Sequence, residues 1–139
     1  MKSKQTCFTL AALSGAVVLL AGGWWTLPEK APVFNDVTSI VFTGEPWTGE
    51  ALKLEITNPE DVAAFVGAIQ LEKKDPCKCG EHWLTVAFKG TKREIKASIC
   101  NHCFDVREPS KVRYYAMPKA FYEEFKKRIP EQRRAELHL

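Results

Sequence analysis

The chain lacks a dominant charge. Its 139 residues include 20 basic and 17 acidic side chains, for a formal net charge of +3. Three of the basic and one of the acidic residues fall in the first thirty positions, so residues 31–139 stand at +1 with the signs interspersed. That balance argues against a nucleic-acid surface, which needs a basic face or stripe. The short signatures of common catalysis are missing too: there is no nucleophile elbow, phosphate loop, dinucleotide fingerprint or H-E-x-x-H zinc helix. No internal repeat or low-complexity segment occurs. These absences favour a non-enzymatic binding or structural protein over an enzyme, with a protein or small ligand as its partner.

What is present begins with an apolar leader. Lys2 and Lys4 precede an uncharged run from Cys7 to Trp25, 19 residues long. A helix needs about 20 residues to cross a hydrocarbon core about 30 Å thick. Lysines on the N-terminal side favour an N-in, C-out orientation. Residues 1–30 therefore read as a signal anchor, with residues 7–25 in the membrane and Trp24-Trp25 at the outer interface. The alternative is a signal peptide cleaved near Ala21-Gly22-Gly23, which releases a secreted or periplasmic product. Cys7 follows Lys-Gln-Thr, not the small residues that precede a lipidated cysteine. Either way residues 31–139 lie outside the cytoplasm, and about 110 residues suffice for one domain.

Within that domain, VTSIVF (37–42) reads as a strand rich in β-branched residues. Gly44, Pro46 and Gly49 punctuate a turn that carries Trp47 near its tip, where it folds over a core edge or anchors a partner. LKLEI (52–56) alternates as a half-buried strand. Asn58-Pro59-Glu60-Asp61 starts a helix: Asn58 caps, Pro59 suits the first position, and the carboxylates favour the positive pole. Val62, Phe65, Val66 and Ile69 give it an apolar face, and Asp75-Pro76 ends it. WLTVAF (83–88) and REIKASI (93–99) form two more strands. A short strand follows over FDV (104–106), with VRYY (112–115) as a further candidate. A second helix begins at Pro118, buries Phe121, Phe125 and Ile129, and stops at Pro130. The expected fold is α+β: an antiparallel sheet of about five strands in the order β-β-α-β-β-β-α, with two helices packed on it.

Six metal-capable side chains gather in the middle of the chain: Cys77, Cys79 and His82 in CKCGEH, and Cys100, His102 and Cys103 in CNHC. A hairpin that sets Val86 against Ile95 and Leu84 against Ala97 brings the two groups to one end of the sheet. The same register sets Glu81 opposite Cys100 and Cys79 near His102.

Three chemistries compete for this cluster. An oxidising compartment favours disulfides, with cross-hairpin pairings preferred over Cys77–Cys79. The spacing also resembles a zinc ribbon whose first pair is one residue short, with Cys77, Cys79, Cys100 and Cys103 as ligands and His82 or His102 as substitutes. Copper(I) suits the same soft donors. The third reading is thiol–disulfide exchange by Cys100 and Cys103, although reactive C-x-x-C pairs usually open a helix and this pair leaves a strand.

The remaining candidates have ordinary explanations. Glu123-Glu124 fit a solvated helix face. Lys126-Lys127-Arg128 and Arg133-Arg134 suit a helix C-terminus, with contact to anionic lipid as the second account. Tyr114, Tyr115 and Tyr122 read as core or rim residues, and Trp83 as half-exposed beside the cluster.

Overall fold

The structure, a computed structural model, describes residues 30–44, 50–78 and 84–136. The apolar run 7–25, Trp47, Cys79, His82 and Trp83 lie outside these residues. Among the described residues no helix is long and apolar enough to cross a membrane.

The fold is α+β, as the pattern predicts, but its sheet has six strands. In chain order the elements are β1 (Val37–Gly44), β2 (Leu52–Ile56), α1 (Pro59–Gly67), β3 (Leu84–Gly90), β4 (Glu94–Ile99), β5 (Cys103–Arg107), β6 (Val112–Ala116), α2 (Lys119–Arg128) and α3 (Glu131–Glu136). The sheet order is β2-β1-β3-β4-β5-β6, with every pairing antiparallel. The extra strand is β6. It is separate from β5 because Glu108 and Lys111 close a turn through their backbones, and five residue pairs then form between the strands.

Helix α1 starts where the sequence says. Asn58 Oδ1 accepts from the Glu60 and Asp61 amides at 2.9 and 3.3 Å, and Pro59 occupies the first turn. It ends earlier than expected, at Gly67 rather than just before Asp75-Pro76. The cause is a competing set of backbone partners. Residues 72–74 run along β6: the Ala116 amide donates to the Glu72 carbonyl at 2.9 Å, and the Lys74 amide donates to the Tyr114 carbonyl at 3.0 Å. Those bonds satisfy part of an otherwise open sheet edge.

The β3–β4 register is also shifted from the expected one. Leu84 faces Ile99, Val86 faces Ala97 and Phe88 faces Ile95. The expected register leaves Phe88 against Arg93, whereas the observed one makes a third apolar pair. The expected register turns over Gly90-Thr91; the observed turn sits one residue later, over Thr91-Lys92, with the Gly90 amide donating to the Arg93 carbonyl at 2.8 Å. A shift of two positions keeps every side chain on its expected face.

One face of the sheet carries the core. Phe42, Phe88 and Phe104 point at α1 and α2, which supply Phe65, Phe121 and Phe125, and all six are fully buried. Phe42 stacks on Phe125 with centroids 4.6 Å apart, and Phe121 meets Phe104 edge-on at 5.4 Å. Arg128 ties the helices together. Its guanidinium reaches Asp61 of α1 at 2.5 Å and lies 4.8 Å over the Phe65 ring. Pro130 ends α2 as expected, yet it also precedes α3, a helix beyond the two that the sequence pattern predicts. The Arg133 and Arg134 amides donate to the Pro130 carbonyl, and proline fits a helix's first turn because its missing N–H needs no partner there.

Candidate functional site

CNHC is the turn between β4 and β5. The Cys100 amide donates to the Cys103 carbonyl at 3.1 Å, leaving Asn101 and His102 at an exposed tip. Both cysteines are buried, Cys100 at 4% exposure and Cys103 at 1%. The turn is held from three sides. The Met117 amide donates to the His102 carbonyl at 3.1 Å, Lys74 Nζ donates to the same oxygen at 3.4 Å, and the Tyr122 hydroxyl donates to Asn101 Oδ1 at 3.1 Å.

Cys77 arrives from the segment that runs along β6. It is disulfide-bonded to Cys103, with the Cα atoms 6.2 Å apart and a separation of 26 along the chain. That spacing is ordinary for a disulfide. Cys100 Sγ lies 3.8 Å from Cys77 Sγ, and the three sulfurs all fall within 4.8 Å of one another. The expected convergence of CKCGEH and CNHC therefore holds for Cys77, Cys100 and Cys103. Cys79 and His82 lie outside the described residues. His102 is exposed, and its ring is not among the ligand atoms grouped with the sulfurs.

The C-x-x-C segment forms the β4–β5 turn and does not itself open a helix. The bonded pair is Cys77–Cys103, not Cys100–Cys103. One of the sulfur separations, the 3.8 Å between Cys77 and Cys100, has the length of a zinc–thiolate tetrahedron's edge. Sulfurs bound at about 2.3 Å around a tetrahedral zinc ion lie about 3.8 Å apart.

Tyr122 is legible in the sequence only as a core or rim residue, yet it is a side chain by which α2 grips the turn. Its phenol is pushed above the usual tyrosine pKa of 10.0 mainly by burial, with Glu123 and Cys100 adding to the rise and Lys126 opposing it. Lys126 Nζ lies 4.8 Å over the Tyr122 ring and 2.7 Å from Glu123. Nothing in the spacing of Tyr122 marked Asn101 as its partner. The basic run at the end of α2 is ion-paired: Lys127 and Arg128 each reach Glu124 at 2.8 Å.

Compared with known proteins, the chain matches no family model, no curated protein and no solved structure.

Proposed function

We propose that this chain is a membrane-tethered extracytoplasmic protein that acts by binding rather than catalysis, with a sulfur cluster serving as the staple of its domain. The Cys77–Cys103 bond carries the reading. It joins the segment edging β6 to the start of β5, and so locks one end of the sheet. Such bonds persist in oxidising compartments, which agrees with Lys2, Lys4 and the apolar run 7–25 acting as an N-in, C-out anchor.

A second reading is a zinc or copper centre built from Cys77, Cys79, Cys100 and Cys103. The 3.8 Å contact between Cys77 and Cys100 favours it, because it matches the edge of a thiolate tetrahedron. In that state the Cys77–Cys103 bond is reduced and each thiol loses its proton to the metal.

Intact mass and metal content of the protein from an oxidising compartment decide between them. A mass short by the hydrogens of its disulfides, without metal, supports the staple. Full thiol mass with one equivalent of zinc or copper supports the metal centre and overturns the staple. A disulfide that exchanges readily with a substrate thiol replaces both with an oxidoreductase. The same mass shows whether the leader is retained.

A further inference from the structure

The edge of the sheet at β6 collects cations. Lys73, Lys74, Lys111 and Arg113 line a cleft of about 170 Å³ together with Val112 and Tyr114. Lys73 and Lys74 come from the segment that bridges to β6, and the other two come from β6 and the turn before it. The opposing carboxylates are fewer. Glu108 lies 3.3 Å from Arg113 and 3.8 Å from Lys111, while Glu72 and Asp75 flank the two lysines in the chain.

This edge is also where the chain comes in from its leader. Arg113 Nη1 donates to the carbonyl of Lys30, the first described residue. Lys30 is five positions after Trp25, the end of the apolar run. Five residues span at most about 18 Å when fully extended. Val33 and Val112, the large hydrophobic residues most exposed in the described protein, belong to this linker and this strand.

We infer that the β6 edge, through Lys30, Lys73, Lys74 and Lys111, docks on the anionic lipid headgroups of the membrane that the leader enters. The inference rests on the tethered reading of the leader. A short tether holds the edge close to the bilayer, and cations near an anionic surface gain energy that decays within a Debye length of about 8 Å at physiological salt. Val112 adds an apolar tip beside the charges, the arrangement of an interfacial surface.

The test uses the full-length protein in vesicles, either neutral or containing anionic lipid. Flotation with neutral vesicles reports the tether, and amine labelling read by mass spectrometry reports the edge. The expected result is flotation with both kinds of vesicle. Labelling of Lys73, Lys74 and Lys111 falls about fivefold or more on anionic vesicles only, and the protection is lost in roughly 1 M salt without release of the protein. The double variant Lys73→Glu/Lys111→Glu keeps the fold, floats as before and loses the protection. Equal labelling on both vesicles, with flotation intact, overturns the docking alone. Failure to float with neutral vesicles overturns the tether and the docking with it. Protection by soluble glycerophosphate without vesicles overturns the lipid assignment in favour of a free-phosphate site.

Discussion

The sulfur of Cys100 stands 3.8 Å from that of Cys77, on the flank of the bond that Cys77 makes to Cys103. Two stretches of chain thus meet at one point: the tight β4–β5 turn and the segment that leaves β6's edge. The turn sets the spacing of Cys100 and Cys103, because one backbone bond fixes their separation. Pairing of residues 72–74 with β6 then delivers Cys77 three positions later. The cluster is therefore a product of sheet pairing and not of a preformed loop.

The bond should be worth measuring as a constraint on the unfolded chain. Closing a loop of 26 residues removes about 3.5 kcal/mol of denatured-state entropy. The variant Cys77→Ala/Cys103→Ala is expected to lose roughly that much in urea unfolding under oxidising conditions. Under reducing conditions wild type and variant should agree within about 1 kcal/mol. If oxidised wild type gains nothing over its reduced form, the bond is not the staple of this domain.

Local signals were strong where the cause was local. Asn58 and Pro59 mark the helix start because capping chemistry involves only neighbouring residues. Phe121, Phe125 and Ile129 mark the buried face of α2 because periodicity suffices. Non-local competition was less legible. Ile69 continues the helical pattern of α1, yet the helix ends at Gly67 and residues 72–74 pair with β6 instead. The β3–β4 register was recoverable: counting Phe88 with Leu84 and Val86 gives three apolar pairs only in the observed alignment. The clamp by Tyr122 was not, since a hydroxyl reaching across from α2 to Asn101 leaves no periodic trace.

That clamp predicts a measurable alkaline effect. Removing the hydroxyl in Tyr122→Phe should cost about 0.5–1 kcal/mol, the net worth of an ordinary hydrogen bond. The folded phenol ionises above 10.0, so its contribution is complete below pH 10 and is lost as pH rises through the folded pKa. Wild type should therefore lose stability in that alkaline range, and Tyr122→Phe should show a smaller loss. Phenolate absorbance against pH checks the direction: a midpoint for Tyr122 at or below 10 refutes it.

The aromatic core sets the largest single-residue cost. Phe42 contacts Phe65, Phe121 and Phe125 with centroids 5.5, 6.0 and 4.6 Å away, so it joins the sheet to both helices. Phe42→Ala should cost about 3–5 kcal/mol, against a total of roughly 5–15 kcal/mol for a typical domain. The expected outcome is a melting temperature lower by at least about 12 °C. A drop of under about 4 °C would show that the helices do not depend on this contact.

Gly90 tests the observed turn against the expected one. It ends β3, and its amide makes the bond to Arg93 that fixes the two-residue turn. A Cβ at this position would lie 2.7 Å from Asp36 Oδ2 and 2.9 Å from the Asp36 carbonyl oxygen. The carboxylate can swing away, but the carbonyl belongs to the backbone leading into β1. Gly90→Ala must therefore move the start of β1, where Val37 pairs with Gly90 and the register already shifts before Ser39. Overpacking of this kind costs about 1–3 kcal/mol. Thr91→Ala, in the exposed turn beside it, should cost less than about 0.5 kcal/mol. Urea unfolding of the two variants gives the comparison. A neutral Gly90→Ala would mean that Asp36 does not close over the turn.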